Sequence, residues 1–287
     1  MKDRLDPLIE ERAAWLFKPA ARPVRRLLDG ILGYERCCEI GELMRDWPTR
    51  DIMGTLAQMI AQDLEVEGLH RIPKTGAAIV VANHPTGIAD GIMLWHVLRP
   101  VRPDLFIYTN SDVLRVVPQM ADLIVPVEWQ ESKRTLAKTR RTMALTRDAL
   151  KAGRLGVIFP AGRLAKRRGA RLYERPWLHS AAALARKYEL PVVPIHIRAR
   201  NSALFYVFDR IHPSLRDITL FYEMLNKDRQ PFRIAIGQPI APSEMPPSAE
   251  ETTEMLRDAT LGLGRPGVGL WEMTRPLWPP RGQARRA

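Results

Sequence analysis

Cysteine is scarce in this chain. Only Cys37 and Cys38 occur among 287 residues, and neighbours in sequence stand too close for an ordinary structural disulfide. No second Cys or His group lies at metal-ligand spacing, so no metal is expected, and a reducing cytosol fits best. Long apolar runs are missing as well. Crossing a bilayer takes about 20 apolar residues, whereas the longest uncharged stretch, Thr75 to Ala89, is interrupted by Asn83, His84 and Pro85. The N-terminus mixes Asp3, Asp6, Glu10 and Glu11 with its bases and carries no apolar stretch leading to a small-residue cleavage site, which argues against a signal peptide. No G-x-S-x-G elbow, H-E-x-x-H or Walker A sequence occurs, so serine hydrolases, zincins and P-loop enzymes lack their anchors. Gly262-Leu-Gly-Arg-Pro-Gly267 matches G-x-G-x-x-G only formally, with no strand before it and a proline inside it. No internal repeat is evident, and a hydrophobic content of 46% argues against disorder.

What the chain has in excess is positive charge. Lys and Arg outnumber Asp and Glu by 44 to 32, giving +12 and a pI near 10.1. The excess is concentrated: from Glu131 to Arg171, thirteen Lys or Arg stand against Glu131 and Asp148 alone, a net +11. Such a stretch favours anionic partners, whether phosphates, acidic lipid headgroups or nucleic acid. Few aromatics interleave with those bases, Trp129 and Tyr173 being the nearest, so a stacking platform for single strands is poorly supported. Nucleic acid is not expected as a partner.

Residues 1–62 read as a helical segment. Asp6 before Pro7 predicts an N-cap and first-turn proline, with Leu5, Leu8, Ile9, Leu16 and Phe17 at helical spacing. Pro23 opens a second stripe of Val24, Leu27, Leu28, Ile31 and Leu32, flanked by arginines, suited either to a core or to a membrane surface. From 63 to 240 short β-branched runs alternate with helical periods, as in an α/β domain. Strands are predicted near Ala77–Ala82, Leu105–Tyr108, Leu123–Val127, Gly156–Phe159, Val192–Ile197 and Phe232–Ile236, and helices over Gly91–Leu98, Ser132–Ala152 and Trp177–Tyr188. In residues 241–287, Ser248-Ala-Glu-Glu251 predicts a capped final helix to about Leu261, followed by a basic Pro- and Arg-rich tail.

Two segments carry chemistry. In Val80-Val-Ala-Asn-His-Pro-Thr-Gly-Ile-Ala-Asp-Gly91 an apolar strand runs into a polar turn holding His84, with Asp90 at the start of a helix. A histidine can take a proton from an attacking hydroxyl, and a carboxylate on its other nitrogen fixes the tautomer and stabilises the imidazolium. The plainer alternative makes Asp90 a helix cap. In Val157-Ile-Phe-Pro-Ala-Gly-Arg163 a second strand ends in a glycine turn followed by Lys166, Arg167, Arg168 and Arg171, a ready phosphate site or a solvated basic loop. A third segment, Leu190-Pro-Val-Val-Pro-Ile-His-Ile197, reads as structural, with His196 packed in the core.

The ordered blocks Val66-Glu-Gly68, Ile72-Pro73, Gly76, Ala82-Asn-His84, Asp90, Phe159-Pro160 with Gly162-Arg163, and Val192-Val-Pro194 resemble the glycerolipid acyltransferase superfamily, which includes 1-acylglycerol-3-phosphate acyltransferase. The resemblance covers residues 63–240. It implies an α/β fold with a mixed central sheet flanked by helices, in addition to the N-terminal helical segment. It further implies His84 and Asp90 as catalytic base and partner, with Asn83, Thr86, Gly87, Phe159, Pro160, Gly162, Arg163 and Lys166 at the substrates.

The chain departs from the family pattern in three ways. Five residues separate His84 from Asp90 where the pattern has four, Ala161 replaces an acidic residue, and no threonine precedes Arg163. These features, with Glu223-Met-Leu-Asn-Lys227 and Ile236-Gly-Gln-Pro-Ile240, resemble a bacterial branch close to hemolysin-like and ornithine-lipid acyltransferases. The expected function is acyl transfer to the hydroxyl of a lyso-lipid. The donor is a thioester of coenzyme A or acyl carrier protein, and no cofactor is needed. The expected location is cytoplasmic, peripheral on the anionic inner face of the cell membrane. The competing reading is a non-catalytic basic module for anionic lipid or nucleic acid.

Overall fold

The computed structural model describes residues 1–128, 134–169 and 171–264. Four helices come first: α1 (Lys2–Ala13), α2 (Arg22–Ile31), α3 (Tyr34–Leu43) and α4 (Thr49–Ile60). Then follow β1 (Leu64–Glu67), β2 (Ala78–Ala82), α5 (Ile88–Leu98), β3 (Phe106–Asn110), α6 (Asp112–Val116), β4 (Ile124–Val127), α7 (Leu136–Lys151) and β5 (Leu155–Ile158). A short antiparallel pair, β6 (Lys166–Arg168) and β7 (Arg171–Tyr173), leads to α8 (Ser180–Lys187) and β8 (Val192–Arg198). Last come α9 (Ala203–Ile211), α10 (Pro213–Ile218), α11 (Leu220–Leu225), β9 (Phe232–Ile236) and α12 (Ala249–Gly262).

All six anticipated strands lie in one seven-stranded sheet of order β1-β9-β8-β2-β5-β3-β4. Its neighbours run parallel except β8 with β9, so the sheet is mixed, as expected. The central strand β2 is buried along its whole length because both faces are covered, which is why it reads as an unbroken apolar run. Ala78, Val80 and Ala82 pack with Ile92 and Met93 of α5 and residues of α4, while Ile79 and Val81 pack with Ala181 and Leu184 of α8 and Leu256 of α12. The seventh strand, β1, was not anticipated. Its four residues, Leu-Glu-Val-Glu, alternate exposure at a sheet edge and bury no side chain completely.

The N-terminal segment is helical, but its first cap differs from the expectation. Helix α1 already starts at Lys2 and carries Pro7 inside it, because the amides of Arg4 and Leu5 bond the carbonyl of Met1. Asp6 is occupied elsewhere, accepting from Arg25 and from the Tyr34 hydroxyl. The α2 stripe is divided. Leu28 and Leu32 join Ile9, Ala13, Leu16 and Ile218 in a satellite core, whereas Val24, Leu27 and Ile31 remain exposed.

Three helix starts also move, α5 beginning at Ile88 instead of Gly91. Thr135 caps α7 by accepting from the Lys138 amide, and residues 129–133, including Trp129 and the anticipated start at Ser132, lie outside the described residues. Helix α8 begins at Ser180 because Trp177 and Leu178 bond Glu174 and the Pro160 carbonyl instead. The final helix is capped by Ser248 as expected, and the basic tail beyond Gly264 lies outside the described residues. His196 sits on β8, where burial and Arg198 push its imidazole down to about 4.

Candidate active site

The parallel strands β2 and β5 end side by side, and the crevice beyond the carboxyl ends of such strands is where α/β sheets place ligands. Asn83 follows β2 directly. Its amide donates to the Ile197 carbonyl at 2.8 Å and accepts from the Ile197 amide at 2.7 Å, tying the ends of β2 and β8 together. The buried amide is therefore engaged by backbone and does not line the cavity described below.

His84 Nδ1 lies 2.9 Å from Asp90 Oδ2. Asp90 is completely buried and also accepts from the amides of Thr86 at 2.8 Å and Gly87 at 3.0 Å and from the Thr86 hydroxyl. It stands in the first turn of α5, where amide donors and the helix dipole favour a negative charge. Thus Asp90 is both a helix cap and the partner of His84, and the two readings are one arrangement. Gly87 allows it: its φ of +94° is a backbone state that L side chains rarely adopt. A Cβ there would come within 3.1 Å of Leu164. With Nδ1 turned to Asp90, Nε2 has no hydrogen-bond partner among the described residues and is free to accept a proton. The ring stacks on Phe159 at 4.4 Å between centroids.

The backbone of His84 is held from both sides as well. Its amide donates to Glu174 Oε2 at 3.2 Å, and its carbonyl accepts from Ala165 at 2.8 Å. Ala165 and Glu174 flank the β6–β7 pair, so the stem of that pair brackets the His84 peptide. The other Glu174 oxygen accepts from the Trp177 indole at 3.2 Å. Burial raises the Glu174 carboxyl above its ordinary range, opposed by these N–H donors and by His84. Glu174 was not anticipated, because one glutamate in an aperiodic segment gives no sequence signal.

A cavity of about 1160 Å³ opens beside His84. It is lined by Leu5, Leu8, Met44 and Met53 of the N-terminal segment together with His84, Gly87, Phe159, Pro160, Gly162 and Arg163. It extends past the ends of β3 and β4 to the first turns of α7. The volume exceeds the few hundred to about 1,000 Å³ of a typical small-molecule site, and the lining is mainly apolar. The turn after β5 is set by a φ of +59° at Gly162 and a bond from its amide to Phe159. Arg163 is exposed at the cavity lining, whereas the predicted Lys166 stands on β6 outside it, and Thr86 is spent on Asp90. Arg175, which was not anticipated, does line the cavity, with only a 3.4 Å contact to the Leu164 carbonyl.

The basic strand β6 has its own aromatic partners. Arg167 lies over Tyr206 and Arg168 over Tyr173. Among the described residues no group of three or more His, Cys, Asp or Glu could hold a metal ion. No helix among them is long and apolar enough to cross a membrane.

Residues 63–198 match the Acyltransferase family. A lyso-glycine lipid O-acyltransferase of Phocaeicola vulgatus is 24% identical over 245 residues, covering 82% of this chain and 85% of the relative. A protein of the same description from Bacteroides thetaiotaomicron is 25% identical over 196 residues, covering 66% and 70%. The crystal structure of the 1-acyl-sn-glycerophosphate (LPA) acyltransferase PlsC from Thermotoga maritima is similar at a TM-score of 0.47 and 15% identity, over 92% of this chain and 96% of that one. The family match thus falls on the segment that carries the ordered sequence blocks and most of the mixed, helix-flanked sheet.

Proposed function

We propose that the protein transfers a fatty acyl group from an acyl thioester to the hydroxyl of a lyso-lipid with an anionic or zwitterionic head. The observation that carries the reading is the His84–Asp90 bond at 2.9 Å, made in a side chain that lines a large apolar cavity. His84 Nε2 accepts the acceptor's hydroxyl proton while the oxygen attacks the thioester carbonyl. Asp90 keeps the proton on Nδ1 and stabilises the imidazolium. When the tetrahedral intermediate collapses, the C–S bond breaks and the imidazolium returns the proton to the thiolate, giving an ester and a free thiol. A thioester suits this path because its sulfur leaves without a covalent enzyme intermediate.

The cavity holds acyl chain, and Arg163 with Arg175 faces the acceptor's head. A guanidinium binds a carboxylate as readily as a phosphate. The relatives described as lyso-glycine lipid O-acyltransferases favour an amino-acid headgroup over a phosphate one. Asn83 serves the site from behind, by fixing the strand end from which His84 departs. The lyso-lipid substrate and the exposed apolar residues of α2 beside Arg22, Arg25 and Arg26 favour peripheral attachment to an anionic membrane face. The decisive experiment incubates the protein with labelled acyl thioester and defined lyso-lipids, including lyso-glycine lipid and lysophosphatidic acid, and identifies products by mass. A diacyl product is expected, and no product with any acceptor removes the reading.

A further inference from the structure

Helix α7 is the most basic element of the chain, and its first half projects into solvent. Every residue from Arg134 to Arg141 is exposed, Leu136 at 65%. Thr146, Ala149 and Leu150 bury one side of the second half. At 100° per residue, Lys138 and Arg141 fall on one flank of that buried side and Arg140, Arg147 and Lys151 on the other, along about 24 Å of helix. Lys138 pairs with Glu128 and Arg147 with Asp148, while Arg140, Arg141 and Lys151 make no ion pair among the described residues. Met143 and Leu145, each a little over a third exposed, stand with Leu136 as apolar points among the bases.

The place of this helix matters as much as its charge. Because α7 follows β4 in a parallel set, its first turns sit at the same carboxyl edge as His84. Arg134, Lys138, Thr139 and Thr142 line the cavity that reaches His84. Three inter-strand steps separate β4 from β2, roughly 14 Å at about 4.8 Å each, a gap that an extended pantetheine arm spans.

We infer that α7 is the docking surface for an acidic acyl carrier protein, which delivers its thioester into the cavity from this side. The inference rests on the thioester reading proposed above. Coenzyme A concentrates its phosphates at one end of the molecule and calls for a few converging bases. The bases of α7 are instead strung along both flanks of an exposed helix with apolar residues between them, the complement of an extended acidic protein surface.

The test compares the full-length protein with its Arg140→Glu/Arg141→Glu variant, both positions being outside the cavity lining. Carrier binding is read by fluorescence anisotropy with a labelled bacterial acyl carrier protein, and turnover is measured with acyl carrier protein, acyl-coenzyme A and acyl-pantetheine donors. The variant should bind the carrier at least about tenfold more weakly, with wild-type affinity falling as salt rises. Its kcat/KM for the acyl carrier protein should fall by a similar factor while that for acyl-pantetheine stays unchanged. Equal carrier binding by the two proteins overturns the inference. So does an equal loss with acyl-coenzyme A, which would assign the bases to nucleotide phosphates, or a loss confined to anionic vesicle binding, which would assign them to a membrane. Carrier binding without turnover of any thioester would leave the docking surface standing and remove the proposed reaction. Turnover of acyl-pantetheine without carrier binding would do the reverse.

Discussion

The loops after β2 and β5 leave the same edge of one sheet from paired strands, yet they are held very differently. In the first, Asn83, the His84 backbone and ring nitrogen, and the Asp90 carboxylate are all engaged, and Asp90 is wholly buried. In the second, the turn is fixed through Gly162 and Pro160, but the Arg163 side chain is exposed and makes no hydrogen bond among the described residues. The difference fits the two kinds of work proposed for these loops. Proton transfer demands a fixed geometry at one atom, so its loop is over-determined, whereas recognition of a charged head tolerates a side chain that finds its partner on binding.

The contrast implies that the largest effect comes from His84. His84→Ala should lower turnover by about 10²- to 10⁴-fold, or more where the ring also positions the acceptor, with an unchanged circular dichroism spectrum. Asp90→Asn should act in the same direction and less completely, since the amide still fills the cap but directs an NH₂ group at N–H donors. Wild-type turnover by a folded His84→Ala protein would show that the rigid loop is structural only. Arg163→Lys comes next. Lys cannot reproduce the planar two-point contact of guanidinium with an oxyanion. One such charge-assisted bond is worth roughly 1.5 to 3 kcal/mol, so KM for the acceptor should rise about ten- to a hundredfold and KM for the donor little. A rise confined to the donor would move Arg163 to the carrier's phosphates.

Much of this frame was legible in the sequence, for identifiable reasons. The strands around the site are doubly covered, so Ala78–Ala82 and Leu155–Ile158 appear as apolar runs, and the His84 and Arg163 turns follow them directly. The start of α1 was misread because Asp6-Pro7 has the form of a helix start while Asp6 serves Arg25 and Tyr34, residues far along the chain. Glu174 and Arg175 were invisible for the same reason. Their relation to His84 spans about ninety residues and is made by the β6–β7 stem, which short exposed strands do not announce. Lys166 was the converse case, next to Arg163 in sequence yet outside the cavity because β6 carries it away.

Glu174 offers a finer test of how far the rigid loop depends on its bracket. Its two oxygens receive two N–H donors, from His84 and Trp177, and a glutamine can satisfy only one of them. Glu174→Gln should therefore lower kcat by about three- to tenfold with KM nearly constant, the mark of a residue that positions the base without touching substrate. A change in acceptor KM alone would attach Glu174 to the recognition loop instead.

The smallest effect on turnover and the clearest on stability belongs to His196, on the frame itself and next to the Ile197 that anchors Asn83. Burial first, and then Arg198, lower its pKa from 6.5 to about 4. Above pH 6.5 both folded and unfolded chains keep it neutral. As pH falls below 6.5 the unfolded chain takes up the proton and the folded one does not until about pH 4, so stability drops through that window, by about 3 kcal/mol at most. Glu174 works with the opposite sign. Burial raises its carboxyl in the folded chain, which then holds a proton more tightly than the unfolded one, so falling pH adds stability through its range. Thermal midpoints measured from pH 7.5 to 4.5 should thus fall less steeply for His196→Leu than for wild type and more steeply for Glu174→Gln, with turnover of the His196 variant at pH 7.5 within about twofold. Parallel slopes for wild type and the His196 variant would mean that this imidazole reaches water in the folded chain, and that the frame behind His84 is looser than its contacts imply.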